Sequence, residues 1–209
     1  LQKFLNDANN LTTNEKIIIK EKILRLSLQG AFMTRGGKRV YVKNITEDKK
    51  IIVKEKLKKK LLDIKFDNYT IDNSMSDKIE KFTKDVNNDC KYKDQLEDGI
   101  FRIGISQKLI NLYLKYQWCL GWLQELPPHC PFDGQVIAYL QKNIDNNESI
   151  KNIRWTRICG KENGGIVQGM KDYRNLIEAA EEVRKKEKCH TIAEWELKFW
   201  NEKNVQIKK

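Results

Sequence analysis

Apolar residues recur at helical spacing along most of the 209-residue chain, with polar and charged residues between them. Side chains that repeat every three or four positions fall on one face of an α-helix, where a core can bury them. The pattern predicts helices over residues 13–29, 46–65, 75–88, 133–142, 170–187 and 191–201. With a lead-in over 92–101 and a further helix opening near residue 107, we expect about seven or eight helices.

The first and last predicted helices illustrate the pattern. The apolar side of the first carries Ile17, Ile18, Leu24 and Leu28. Thr13 or Asn14 can cap it, because a short oxygen-bearing side chain accepts hydrogen bonds from the free amides of a helix N-terminus. The last helix repeats Ile192, Trp195 and Phe199 or Trp200. We expect this aromatic stripe to pack in the core, with a base-stacking surface as the alternative.

Three segments interrupt the helical pattern. Pro127, Pro128 and Pro131 stiffen the approach to the helix at 133–142. Residues 145–168 are rich in Asn and Gly and predict a loop, with one strand over 152–158. Since so little of the chain alternates with the period of a strand, the expected fold class is all-α: one compact multi-helix domain spanning residues 1–209.

The third interruption, over residues 29–44, contains the pair Gly36-Gly37 flanked by Arg35, Lys38 and Arg39. Adjacent glycines favour a tight turn or a short hairpin. Three cations beside such a turn predict a loop that contacts the backbone of DNA. An exposed connector without a binding role is the alternative.

Lys and Arg outnumber Asp and Glu by 40 to 29, which gives a net charge of +11. A cation placed beside a phosphate releases counterions, so this excess favours a nucleic-acid partner. The alternative is that lysines mixed with acids keep the helices in solution. No run of 18 apolar residues is present, and residues 1–10 contain no apolar signal region. We therefore expect a cytoplasmic protein that does not enter a membrane.

Five cysteines are scattered along the chain without a Cys-x-x-Cys pair. Reduced, mostly buried thiols fit this distribution and the cytoplasm. A zinc site built from His129, Cys130, Cys189 and His190 is the alternative. Because adjacent ligands in one chain seldom face a single ion, we expect no metal and no cofactor.

The candidate chemistry lies in "FRIGISQKLINLYLKYQW", residues 101–118, and in "CPFDGQVI", residues 130–137. "RIGIS" predicts a tight turn whose free amides at the start of a helix bind a phosphate. Lys108 follows in the first turn of that helix, where its charge opposes the helix dipole. Asp133 stands at the N-cap of the next predicted helix. It is either only a cap or a carboxylate that faces the lysine across a cleft.

These two segments resemble the helix-hairpin-helix superfamily of DNA glycosylases, whose signature is a glycine hairpin that opens a helix with a lysine, followed by an aspartate segment. In compact layout the chain is similar to the archaeal 8-oxoguanine glycosylase branch. The matching covers about residues 97–140. It departs from the family in having Ser106 at the second hairpin glycine, a longer interval between lysine and aspartate, and no four-cysteine iron–sulfur signature.

The resemblance implies a helix-hairpin-helix motif, a cleft between helical subdomains, and a monomer that excises a modified base from double-stranded DNA. It implies Lys108 as the amine nucleophile and Asp133 as the essential carboxylate, with Lys115 as the rival nucleophile. The residues expected to contact DNA are Gly104, Ser106, Gln107, Arg102, Arg35, Lys38 and Arg39. Those expected to line the base pocket are Trp118, Trp122, His129 and Phe132, with Trp118 and Trp122 on one helix face.

Two other functions remain open from the residues alone. A helical protein can grip the DNA backbone without catalysis, in which case Asp133 is only a cap. A helical protein-interaction domain is the third possibility, and its lysines would be solvated. For a glycosylase, a role in repair and a role in defence against modified DNA predict the same residues.

Overall fold

A computed structural model describes residues 11–64, 66, 72–89, 92–123, 125–145, 147–159 and 165–207. Within these ranges the chain forms seven α-helices and no strand. The helices are α1 (Thr13–Phe32), α2 (Glu47–Leu62), α3 (Asp72–Asn88), α4 (Ile103–Cys119), α5 (Gly134–Asn143), α6 (Gly165–Lys186) and α7 (Ile192–Ile207). The all-α class predicted from the pattern is confirmed. None of the helices in the described part of the chain is long and apolar enough to cross a membrane.

Three local predictions are corrected. The strand expected over 152–158 is instead a 3₁₀ turn, Trp155–Arg157. No α-helix forms over 92–101, where a helix or a lead-in was expected, and this segment ends with the 3₁₀ turn Glu97–Gly99 followed by extended backbone. Between the first two helices, α1 continues through Phe32 before the basic turn, and the chain then makes an isolated antiparallel bridge between Tyr41 and Leu96. Short apolar runs look alike in strands and in buried turns, and this explains the first error.

The central element is α4, whose residues from Ile103 to Asn111 are all buried. It packs most extensively against α1 and also contacts α3, α6 and the Trp155–Arg157 turn. A helix buried on every side must pair its polar side chains internally, because unpaired polar groups in a core are costly. The Ser106 hydroxyl meets this requirement by accepting a hydrogen bond of 2.7 Å from the Thr83 hydroxyl of α3.

The face that α1 turns toward α4 was predicted only in part. Leu24 and Leu28 are buried as expected. Ile17 and Ile18, which were expected on the same apolar side, are 60% and 67% exposed. They lie in the first half of α1, whereas every buried residue of this helix lies from Ile23 onward. Periodicity identifies a candidate face but does not say how far a neighbouring helix extends along it.

The aromatic stripe of α7 packs as expected at its first ring. Trp195 is fully buried. The partly buried Phe199 lies against it with ring centroids 6.1 Å apart, and Tyr139 of α5 contacts both rings. Trp195 Nε1 also donates a hydrogen bond of 3.1 Å to Glu187. The stripe therefore joins α5, α6 and α7 by core packing.

The start of α1 offers a matched test of helix capping. Thr12 rather than Thr13 or Asn14 is the cap, and it exchanges hydrogen bonds with Glu15 in a capping box. Thr46 occupies the same position before α2, but its side chain makes no capping bond. Thr12→Ala should lower the free energy of unfolding by about 1 kcal/mol. Thr46→Ala should cost clearly less when both are measured by urea denaturation. Equal losses would show that the capping box does not stabilise α1.

Candidate active site

The candidate site forms where α4 meets the start of α5. Lys108 lies in the second turn of α4, and Asp133 directly precedes α5. The Lys108 Nζ and Asp133 Oδ2 atoms are 4.0 Å apart. Lys108 is only 9% exposed, so its amine sits at the boundary between core and solvent. At this distance the two charges attract each other. The separation is too long for a hydrogen bond between the amine and the carboxylate.

The two carboxylate oxygens of Asp133 have separate partners. Oδ1 accepts hydrogen bonds from the backbone amides of Gln135 at 2.9 Å and Val136 at 3.1 Å, which caps α5. Oδ2 is the oxygen nearest Lys108. The capping role predicted for Asp133 is confirmed, and it leaves one oxygen directed toward the amine.

Two amide side chains of α4 hold the segment that leads into Asp133. Gln107 donates a hydrogen bond to the Phe132 carbonyl at 2.8 Å and accepts one from the Phe132 amide at 3.1 Å. One turn later, Asn111 donates to the Cys130 carbonyl at 2.9 Å. Lys108 directly follows Gln107 in the same helix. The backbone on either side of residue 131 is therefore fixed to the helix that carries the lysine.

Trp155 packs against the amine of Lys108. The sequence pattern had predicted a strand at this residue and indicated no role for it. The Lys108 Nζ atom lies 4.3 Å from the centre of the Trp155 ring, in cation–π contact. The Trp155 backbone packs directly on Gly104, where an added Cβ would lie 1.7 Å from the Trp155 carbonyl oxygen. Gly104 thus permits close approach of the 3₁₀ turn to α4, one turn before the lysine.

Lys108, Asp133 and Trp155 line a cavity of about 310 Å³. Its other lining residues come from the end of α1, the following turn, α4 and the start of α5: Gly30, Met33, Thr34, Arg35, Leu112, Tyr116, Gly134 and Gln135. Burial lowers the pKa of Lys108 from its ordinary value, and the charge of Arg35 lowers it further, whereas the Asp133 carboxylate acts in the opposite direction. Burial has the largest of these three effects on the pKa. It acts by removing water from around the amine, which disfavours the charged form. The site can therefore present a lysine that loses its proton more easily than a surface lysine.

The residues predicted to grip phosphate through a hairpin have interior positions instead. "RIGIS" is not a tight turn: Arg102 is the N-cap of α4, and helix begins at Ile103. Gly104, Ser106 and Gln107 are fully buried in its first turns, so none presents a surface to DNA. A lone glycine in sequence does not reveal whether it serves a turn or a close helix contact.

Arg102 is also buried, and it supports the basic turn rather than meeting solvent. It is 1% exposed and donates hydrogen bonds to the backbone carbonyls of Lys38 and Arg39. Burial lowers the pKa of its guanidinium, against the opposing charges of Asp98 and Glu97. The role of Arg102 in this structure is to hold the Lys38–Arg39 backbone at the N-terminus of α4.

The basic turn itself lies beside the cavity, and its three cations differ in position. Arg35 is exposed and lines the cavity. Lys38 Nζ lies 2.6 Å from Asp98, and Arg39 Nη2 lies 3.4 Å from Glu97. Only Arg35 of these three therefore faces the same space as Lys108.

The four residues predicted to line a base pocket do not line this cavity. His129 and Phe132 are buried against Tyr173, with His129 Nδ1 2.8 Å from the Tyr173 hydroxyl. Because α4 ends at Cys119, Trp118 and Trp122 do not share a helix, which corrects that prediction. Both are half-buried, and Trp122 packs against the core. The aromatic side chains that do line the cavity are Tyr116 and Trp155.

The rival lysine and the alternative zinc site have other surroundings. Lys115 Nζ lies 2.6 Å from Glu196, which is 1% exposed. That ion pair connects α4 to α7 outside the set of residues that line the cavity. Within the described ranges, no group of three or more His, Cys, Asp or Glu side chains is placed to hold a metal ion. Cys90 lies outside the described residues.

The contact of Gly104 with Trp155 generates a test of the site's architecture. In Gly104→Ala the new Cβ would overlap a backbone carbonyl, so the 3₁₀ turn must move away from α4. We expect a loss of about 1–3 kcal/mol in the free energy of unfolding. Gly134→Ala is the matched control, because its Cβ would meet nothing closer than 3.9 Å. If urea denaturation gives both variants wild-type stability, the turn is not packed on Gly104 as described.

Comparison with known proteins assigns no family to the chain. No protein-family model, no curated protein and no solved structure matches it.

Proposed function

We propose that the protein is a DNA glycosylase that removes a modified base and can form a Schiff base with the exposed sugar. One observation carries this proposal. Lys108 and Asp133 are separated by a proline-containing loop in the sequence, yet their charged groups lie 4.0 Å apart on the wall of one cavity. An amine with a lowered pKa beside a fixed carboxylate is the pair that glycosidic bond cleavage through an amine requires.

In the proposed reaction the neutral Lys108 amine attacks C1′ of the damaged nucleotide. The new C1′–N bond forms as the glycosidic bond breaks, and the electron pair of that bond leaves with the base. Positive charge develops on the sugar, and the free oxygen of Asp133 stabilises it. The attacking nitrogen then gives one of its two protons to the departing base. Its lone pair next opens the sugar ring by breaking the C1′–O4′ bond, O4′ takes a proton from water, and a protonated Schiff base remains. From this intermediate the DNA strand can be cleaved by β-elimination or water can release the enzyme.

Cavity size and charge support the same proposal. A volume of about 310 Å³ is near the lower limit of ligand sites, about 300 Å³, and suits one flipped nucleobase better than a longer ligand. Trp155 and Tyr116 provide aromatic surface, and Gln135 and Thr34 provide polar groups. The net charge of +11 favours a polyanionic substrate. A base inside a duplex must be unstacked before it enters such a space, and mismatched or damaged bases unstack at the lowest cost.

Borohydride trapping on oligonucleotides that carry a panel of modified bases tests the reaction and identifies the nucleophile. Borohydride reduces a Schiff base to a stable amine, so the wild-type protein should become covalently joined to one of these DNAs. Lys108→Gln should abolish the adduct, because it removes the amine. Asp133→Asn should abolish base release but keep DNA affinity within a few-fold, as measured by fluorescence anisotropy.

Lys115→Gln is the matched control, since it removes a lysine of the same helix that lies outside the cavity. It should still give the adduct. Loss of the adduct in Lys115→Gln with retention in Lys108→Gln would exchange the roles of the two lysines. Abasic product without any adduct would indicate a glycosylase that uses water. DNA binding with neither product nor adduct across the panel would contradict catalysis and leave a binding protein.

The lowered pKa of Lys108 predicts the pH dependence of the lysine chemistry. Only the neutral amine attacks, so the single-turnover rate of strand cleavage at a preformed abasic site should rise with pH. An ordinary lysine has a pKa of about 10.4. Because burial lowers the pKa of Lys108, the rate should reach its plateau at a lower pH than that. A rate that keeps rising through the ordinary lysine range would show that this amine is not desolvated in the working enzyme.

A further inference from the structure

We propose that Arg35 is a positioning residue that acts through Lys108: from the wall of the cavity that the two residues share, its charge favours the neutral, reactive form of the amine. This inference rests on the proposed function. Arg35 and Lys108 line the same cavity, although one lies in the turn after α1 and the other in α4. Among the described residues, no carboxylate forms an ion pair with Arg35, and Asp133, the carboxylate that lines the same cavity, faces Lys108.

The turn that carries Arg35 is held in place from several sides. Lys38 N donates a hydrogen bond of 3.2 Å to the Thr156 hydroxyl, and Gly37 packs so closely on Thr156 that an added Cβ would lie 2.6 Å from that oxygen. Arg102 holds the backbone carbonyls of residues 38 and 39. Arg35 is thereby fixed beside the 3₁₀ turn that carries Trp155, rather than on a free loop.

The backbone of Arg35 has an unusual conformation. Its φ angle is +40°, in the left-handed region that residues other than glycine, asparagine and aspartate seldom adopt. The next residue is Gly36, which could adopt a positive φ without strain and does so. A non-glycine residue in such a conformation persists only where the surrounding contacts impose it, and such positions concentrate at functional sites. Here the Gly37 amide donates a hydrogen bond of 2.8 Å to the Thr34 carbonyl and closes a turn with Arg35 and Gly36 at its centre, and this turn brings Arg35 to the cavity wall.

The groups that face Lys108 divide by sign. Asp133, at the start of α5, and the electron-rich face of Trp155 favour the ammonium form. Burial and Arg35 favour the neutral form. Tyr116, from α4 itself, lines the cavity with a hydroxyl whose pKa is raised by burial, and it is therefore uncharged near neutral pH. Gly30 at the end of α1 and Met33 and Thr34 directly after it also line the cavity, and none of them titrates. Apart from Lys108 itself, Arg35 is thus the one cation among the lining residues. Its effect on the pKa of Lys108 is opposite to that of Asp133.

Competitive labelling of the free protein with acetic anhydride tests the inference without any DNA. Mass spectrometry of the Lys108 peptide over a pH series gives the pKa of its amine, because only the neutral amine reacts. Arg35→Asn removes the charge while asparagine tolerates the positive φ. We expect its labelling curve to shift to higher pH, with labelling of Lys108 about two- to threefold slower at pH 8, as one nearby surface charge would cause. Salt should weaken this difference.

Two control variants separate electrostatics from structure. Arg35→Lys keeps the charge and should restore the wild-type curve. Arg39→Asn removes a cation from the same turn that faces Glu97 rather than the cavity, and should leave the curve in place. The inference is overturned if Arg35→Asn leaves the curve unmoved, if Arg39→Asn moves it equally, or if Arg35→Lys fails to restore it.

The same variants distinguish failure of this inference from failure of the proposed function. If no modified base is released and no adduct forms, but the labelling curve shifts in Arg35→Asn alone, the electrostatic role stands and the glycosylase proposal falls. If the wild-type protein forms the adduct and Arg35→Asn labels like the wild type, the glycosylase proposal stands and the role of Arg35 falls. In an active enzyme, the kcat/KM profile for abasic-site cleavage should shift to higher pH with the labelling curve.

Discussion

The structure depends on burying the first turns of α4 on every side. A fully buried helix has little solvent to satisfy its polar side chains, so these side chains depend on partners within the protein. Ser106 pairs with α3, while Gln107 and Asn111 pair with the backbone of the segment that leads into α5. Each of these bonds serves packing and also fixes the path of a neighbouring segment. The separation between Lys108 and Asp133 follows from that requirement.

The same constraint explains how one carboxylate can cap a helix and face a lysine at the same time. Asp133 caps α5 with one oxygen and faces the lysine with the other. A capping aspartate is held rigidly by two backbone amides, so its second oxygen has a fixed direction at no further conformational cost. Rigidity of this kind is what electrostatic stabilisation of a developing charge requires.

The sequence was informative where a signal is local. Helical periodicity located the main helices, and the residue type and setting of Asp133 identified it as a cap. Signals that depend on distant parts of the chain were missed. Gly104 looked like a turn glycine because its partner, Trp155, lies far along the sequence. Ile17 and Ile18 fit the apolar face of α1, but no helix in the described part of the chain covers them.

The aromatic residues of the site show the same limit. Trp118 and Trp122 are near the lysine in sequence, whereas Trp155 is near it in space. The docking of loops decides which aromatic residue reaches a cavity. The spacing of residues along the sequence says little about how loops dock. The resemblance to a glycosylase signature brought attention to Lys108 and Asp133, but it did not identify Trp155, the aromatic residue contributed by the 3₁₀ turn.

The bond between the Lys38 amide and Thr156, which spans 118 positions of the chain, has a consequence for the order of folding. Contacts of such long range form late, because closing a large loop costs entropy before the contact is gained. A nascent chain that has completed only its N-terminal helices still lacks the indole and has not yet closed the cavity. Its Lys108 remains a hydrated, protonated amine like the many others on the chain. The burial that lowers the pKa of Lys108 is thus acquired only when the 3₁₀ turn that carries Trp155 docks on α4.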